Sequence, residues 1–212
     1  MEVNAKAVKE LREQTGAGMM DCKSALIEAE GNMVKACDIL RTKGLADLAK
    51  RAGKATNEGI VDAYIHAGGR IGVLVEVNCE TDFVSRNEQF RAFVHDVAMH
   101  IAAATPLYIR REDVPAQVVE HEKSIYMAQA AASGKPEAIQ AKMAEGRLDK
   151  FFKEVCLMEQ PFVKDPDLTI NDLLGAQVSK LGENMKVSRF TRYVLGGSES
   201  VDEAAEDGGL EQ

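Results

Sequence analysis

Asp82 and Phe83 stand side by side in the stretch Glu76-Val77-Asn78-Cys79-Glu80-Thr81-Asp82-Phe83-Val84-Ser85-Arg86-Asn87. A carboxylate beside a large aromatic offers a charge that attracts cations and N–H donors, and an apolar surface that favours burial. The flanking segments decide how stiffly the pair is held. Ile71, Val73, Val75 and Val77 alternate at the strand period, so one face of that strand is expected to be buried. Ser85-Arg86-Asn87-Glu88 has the spacing of a capping box and predicts a helix starting at about Arg86. Phe90, Phe93, Val94, Val97 and Ile101 then recur at helical spacing. Asp82 and Phe83 therefore fall at the tip of a strand-to-helix corner. Two readings stay open there. Phe83 plugs the core while Asp82 serves as a second cap, or the pair is a probe aimed at a partner, since loops on stiff elements carry function.

Other chemistries find little support. Cys22, Cys37, Cys79 and Cys156 are widely scattered, with no close pair suited to zinc, and read as small, buried, reduced residues. His95 and His100 are misaligned for a shared metal on one helix face. No glycine-rich loop ending in Lys-Ser or Lys-Thr is present, so the chain does not read as a nucleotide hydrolase. The net charge is −8, but the last fifteen residues carry six acids (Glu199, Asp202, Glu203, Glu206, Asp207 and Glu211) and no base. The body is thus close to neutral, which argues against direct nucleic-acid binding. The tail reads as a disordered, solubilising segment. No apolar run is long enough to cross a membrane, and Met1-Glu2-Val3-Asn4 lacks the features of a signal peptide, so a cytoplasmic location is expected.

The elements that must position the corner can be read in order. Residues 1–43 predict three short helices, with Asn4 capping the first and Asn32 the third. Thr15-Gly16-Ala17-Gly18 breaks the first, Gly31 ends the second, and Gly44 stands where a helix-ending glycine belongs. Two adjacent methionines, Met19 and Met20, cannot both point into so small a core: either at least one is exposed, a thioether suited to an adaptable binding patch, or both line the core edge. Residues 44–57, with Lys50, Arg51 and Lys54, read as a basic helical linker. The core, residues 58–197, opens with a hairpin of Ile60–His66 and Ile71–Asn78 turned at Gly68-Gly69. Several helices follow, with an extended patch at Glu159–Val163 and a capping-box start at Thr169–Asp172. Val187–Leu195 is a third strand, rich in β-branched and aromatic residues. The fold class expected is α+β: a three-helix domain, then a small antiparallel three-stranded sheet backed by helices. Residues 198–212 form the tail.

The run from Glu76 to Arg86 resembles the core signature of the bacterial elongation factor Ts family. The segment Leu11-Arg12-Glu13-Gln14-Thr15-Gly16-Ala17-Gly18-Met19-Met20-Asp21-Cys22-Lys23-Ser24-Ala25-Leu26 resembles that family's N-terminal signature, and similarity continues to about Gly197. The resemblance implies a guanine-nucleotide exchange factor for elongation factor Tu in translation elongation, acting by protein–protein binding without a cofactor. It implies a ubiquitin-associated type of three-helix domain whose Arg12, Met19 and Met20 dock on the partner's nucleotide-binding domain. It assigns Thr81, Asp82, Phe83 and Val84 to the disturbance of the partner's magnesium site, with Phe83 as a wedge between two of its helices. Longer family members carry two core subdomains and a protruding helical hairpin. This chain has one core, to which the later helices are expected to belong, and resembles the short form in which two chains pair as a homodimer. A different class, a three-helix adaptor joined to a small-molecule enzyme, would need a cluster of polar catalytic groups, and none appears at recognisable spacing.

Overall fold

The computed structural model describes residues 4–197, and the acidic tail lies outside the described residues. Three helices open the chain: α1 (Ala5–Thr15), α2 (Met19–Glu28) and α3 (Met33–Arg51). Asn4 Oδ1 accepts from Lys6 N at 2.9 Å and Asn32 Oδ1 from Lys35 N at 3.1 Å, so both expected caps form. Leu11, Cys22, Leu26 and Ala36 are buried at the centre of this bundle.

Gly44, read from the sequence as a helix stop, lies instead inside α3. The reason is a close helix crossing. A Cβ at Gly44 would lie 3.1 Å from the carbonyl carbon of Gly175, in a helix formed by residues 170–181. The same stripe of α3 carries Arg41, whose Nη2 donates to Asp172 Oδ2 at 2.6 Å, and Asp47, which accepts from Ser179 Oγ at 2.7 Å. Leu48 packs on the main core. The third helix thus serves both the bundle and the core.

The core is built on β1 (Glu58–Ile65) and β2 (Ile71–Cys79), an antiparallel hairpin turned at Gly68 and Gly69, both with positive φ. A four-residue helix α4 (Asp82–Ser85) and then α5 (Glu88–Ala104) follow. Val73, Val75 and Val77 on one face of β2 pack against Phe90, Phe93, Val94, Val97 and Ile101 of α5 in a single apolar cluster. Each such side chain contributes roughly 1.5–3 kcal/mol on burial, which makes this strand–helix pair the stiff heart of the molecule.

Next come α6 (Ala116–Ala131) and α7 (Glu137–Val155), joined by five residues and packed chiefly on each other. Their base rests on a separate small cluster of Val114, Phe152 and Cys156, where the Arg111 guanidinium stacks 4.6 Å from the Phe152 ring centre. These helices form a hairpin of their own rather than part of the main core. The extended patch at residue 161 forms a two-stranded ribbon, β3 (Pro161–Phe162) with β4 (Asp165–Thr169). Helix α8 (Ile170–Leu181) starts at the expected capping box, with Asp172 N donating to Thr169 Oγ1 at 3.1 Å and Thr169 N to Asp172 Oδ2 at 2.9 Å. Strand β5 (Met185–Val194) pairs antiparallel with β2, giving the sheet order β1-β2-β5. The architecture is α+β, as the sequence pattern predicted.

Candidate functional site

The corner after β2 differs in detail from the one expected. The helix start lies earlier: Thr81 caps α4, its Oγ1 accepting from Val84 N at 3.4 Å. Asn87, not Ser85, caps α5, its Oδ1 accepting from Gln89 N at 2.8 Å. Ser85 instead turns inward, buried, and donates to Asp82 O at 2.8 Å. A capping-box spacing was therefore present in the sequence, but Asn87 stands closer to the helix and accepts from its first turn. A register shift in the β2–β5 pairing between Glu76 and Val77 leaves Ser188 as the extra residue on β5.

One helical turn splits the four candidate residues. Val84 is 5% exposed and joins the apolar cluster beneath, so it anchors the turn rather than forming its surface. Phe83 is 80% exposed, which removes it as a core plug. Asp82 is exposed beside it and accepts from Arg86 Nη2 at 2.8 Å, an i,i+4 pair worth a few tenths of a kcal/mol. Asp82 is thus not a second cap. Thr81 is exposed and tied from behind: its N–H donates to Glu183 Oε2 at 3.0 Å and its hydroxyl to Glu183 Oε1 at 2.6 Å. Cys79 Sγ donates to Thr81 O at 3.1 Å, and burial, with the Glu183 charge added, pushes its thiol up to about 11. That cysteine is a buried strut with little thiolate character.

Glu80, the residue before Thr81, also reaches backward. Its Oε1 accepts from Asn184 N at 2.6 Å and its Oε2 from Lys54 Nζ at 3.2 Å. The Asn184 N–H and the Lys54 ammonium hold the Glu80 carboxyl below the usual carboxylate range, so it stays charged near neutrality. Sequence reasoning missed Glu80, Glu183 and Asn184. The αL cap at Gly182, closing α8 just before Glu183, was the available trace of a tight turn there.

The second set of candidates lies on the helical bundle. Met19 and Met20 open α2 and are 59% and 70% exposed, so both face outward. Arg12 is exposed in the last turn of α1. The glycines between these helices set the bend, with Gly16 in the left-handed region and its N–H bonded to Arg12 O at 2.8 Å. Ile27 and Val34, also exposed at 53% and 73%, extend the apolar surface of the bundle.

Among the described residues no set of three or more Cys, His, Asp or Glu converges in metal-binding geometry. What the corner presents is a bare aromatic and a carboxylate on a short helix braced from three sides. Such a pair offers an apolar ring for burial and a carboxylate for cations or N–H donors.

A family model described as elongation factor TS matches residues 47–197, which includes the corner and the whole sheet. The chain is 62% identical over 196 residues to an elongation factor Ts of Alkaliphilus oremlandii, covering 92% of this chain and 90% of that one. It is 61% identical over 194 residues to that of Carboxydothermus hydrogenoformans, covering 92% and 89%, and 60% identical over 196 residues to that of Geobacter sulfurreducens, covering 92% and 91%. With a family match over most of its length and relatives of nearly equal length at this identity, the chain belongs to the elongation factor Ts family.

Proposed function

We propose that this protein is a guanine-nucleotide exchange factor for elongation factor Tu in translation elongation, and that Phe83 and Asp82 carry the exchange. The observation that carries this reading is the 80% exposure of Phe83 on a turn whose next two residues, Val84 and Ser85, are buried. An apolar ring held out in water gains roughly 1.5–3 kcal/mol when a partner covers it. An exchange factor makes no bond. It binds the nucleotide-free partner more tightly than the nucleotide-bound one, and by reciprocity nucleotide binding weakens by the same factor. A differential of about 1.4 kcal/mol corresponds to a tenfold change, so one well-placed ring is of the right size.

Faster release also requires a lower barrier, and magnesium with the phosphate loop is where GTPases hold their nucleotide. The Phe83 ring is the wedge that separates partner helices next to that site. Asp82, free to leave its weak pair with Arg86, competes for the groups around the metal. Arg12, Met19 and Met20 dock the bundle on the nucleotide-binding domain, where flexible thioethers adapt to the surface they meet.

Two copies of the chain form the working unit. The outer face of the sheet carries cross-strand rows Ile65–Gly72–Tyr193 and Ala63–Leu74–Thr191, followed by Val61. Val61, Ile65, Leu74 and Tyr193 are 47–66% exposed, an apolar face of the kind that marks an interface. A symmetric pair would bury the same patch on both copies.

The test is release of a fluorescent GDP analogue from elongation factor Tu, followed after adding substoichiometric amounts of the intact chain. Release accelerated in proportion to the amount added, with each molecule acting repeatedly, is the expected result. A rate equal to spontaneous release would overturn the reading.

A further inference from the structure

Helix α4 has four residues, too few to hold its own shape. Something outside it must fix the direction in which Phe83 points. Val84 and Ser85 are buried beneath it, and the long-range hydrogen bonds at its N-cap, Thr81, come from the turn Gly182-Glu183-Asn184 between α8 and β5, 102 residues away in sequence. Both carboxylate oxygens of Glu183 are used on Thr81, one on its backbone N–H at 3.0 Å and one on its hydroxyl at 2.6 Å. A threonine hydroxyl has one hydrogen. With that hydrogen given to Glu183, an oxygen lone pair is left to face Val84 N and cap the turn. The carboxylate thus sets the cap from behind and holds the backbone at the residue where strand becomes helix.

The mount is itself fixed. Asn184, only 4% exposed, donates its N–H to Glu80 Oε1 at 2.6 Å and its Nδ2 to Lys54 O at 2.8 Å. Lys54 Nζ and Arg51 Nη1, 3.2 and 3.6 Å from the Glu80 carboxylate, bring the end of α3 into the same knot. Two consecutive residues of the corner, Glu80 and Thr81, are thereby clasped by two consecutive residues of the distant turn, Asn184 and Glu183.

We propose that Glu183 is a positioning residue for exchange: it acts through Thr81 to hold the α4 turn in the one orientation that presents the Phe83 ring to the partner. The inference rests on the wedge reading above. It differs from an ordinary stabilising contact in one respect. Its effect on exchange must pass through Phe83, so the two residues must be energetically coupled.

The experiment compares Glu183→Gln, Phe83→Ala and the double variant, all in the full-length chain, by release of fluorescent GDP from elongation factor Tu across a range of exchange-factor concentrations. Glutamine keeps the shape of Glu183 but has one accepting oxygen for two donors, so the fold has little reason to fail. Glu183→Gln should lower the maximal exchange rate about tenfold, a change of ~1.4 kcal/mol. The half-saturating concentration and the melting temperature should stay close to those of the parent, because the docking bundle is untouched. In the Phe83→Ala background the same change should cost less than about twofold, since coupled sites are not additive. If Phe83→Ala slows exchange and Glu183→Gln does not, the positioning role is refuted while the wedge stands. If Glu183→Gln costs the same factor in both backgrounds, or acts only by lowering the melting temperature, Glu183 is a structural contact and the proposal fails. If Phe83→Ala leaves exchange unchanged, the wedge reading fails and takes this inference with it.

Discussion

Replacing Gly44 by Ala should destabilise the protein, although the same replacement in the middle of most helices does the opposite. Alanine exceeds glycine by about 1 kcal/mol in a helix interior. At Gly146, inside α7, a new Cβ meets no atom within 4 Å, so Gly146→Ala should realise that gain. At Gly44 the Cβ would lie 3.1 Å from Gly175 C, 3.2 Å from Ala176 N and 3.2 Å from Gly175 O. These are backbone atoms in a helix and cannot rotate away. The crossing must open by a few tenths of an ångström, which also stretches the Arg41–Asp172 and Asp47–Ser179 contacts on either side. Overpacking of this kind costs about 1–3 kcal/mol, so against the propensity gain the net loss should be up to ~2 kcal/mol. Urea unfolding followed by circular dichroism measures both variants on one scale. The midpoints should move in opposite directions from the parent. Gly175→Ala, whose Cβ would meet Gly44 C and O at 3.0 Å, should repeat the loss. A Gly44→Ala protein as stabilised as Gly146→Ala would show that α3 and α8 do not touch through these glycines.

Leu74→Lys, in the centre of the outer sheet face, should convert a dimer to monomers in analytical ultracentrifugation; an unchanged sedimentation coefficient would place the interface elsewhere. Met19→Ala with Met20→Ala should raise the half-saturating concentration for exchange while leaving the maximal rate and the melting temperature nearly as they were, because both side chains are exposed in the free protein. His100 is fully buried in α5, where burial lowers its pKa despite the Gln160 Oε1 contact at 3.0 Å. The unfolded chain therefore binds a proton first, near pH 6.5, and stability should fall as pH drops from there toward the folded pKa, by up to ~1.4 kcal/mol per pH unit. His100→Gln should flatten that slope in thermal melts at pH 5–7, and a slope that survives the change would assign it to other groups.

Periodicity made the larger elements legible. The alternation from Ile71 to Val77, the helical spacing from Phe90 to Ile101 and the capping box at Thr169 each report a local rule that the tertiary structure obeys. The failures occur where packing overrules a local rule. Gly44 looked like a helix stop because glycine ends helices, but its missing Cβ answers to Gly175, far along the chain. Ser85 looked like a cap until its neighbour Val84 was drawn into the core and Ser85 with it. Helices α6 and α7 were expected to belong to the single core, yet they pack chiefly on each other and on the small separate cluster of Val114, Phe152 and Cys156. The candidate corner was located by its strand and helix, and its membership by resemblance. The exposure of Phe83 could not be read from pattern, since an aromatic after a strand is as often a plug as a probe. Glu183 was invisible for a similar reason, a carboxylate in a turn giving no sign of the N–H it will meet.

Phe83→Ala, measured for exchange and for stability in the same preparation, is the most direct test of the wedge. With the ring already exposed, its removal should change the unfolding free energy by no more than about 0.5 kcal/mol, as for an ordinary surface substitution. GDP release from elongation factor Tu at saturating exchange factor should slow about tenfold or more, the loss of at least ~1.4 kcal/mol of differential binding. The contradicting result is a variant that exchanges at the parent rate but has lost about 3–5 kcal/mol of stability, the cost of truncating a buried phenylalanine.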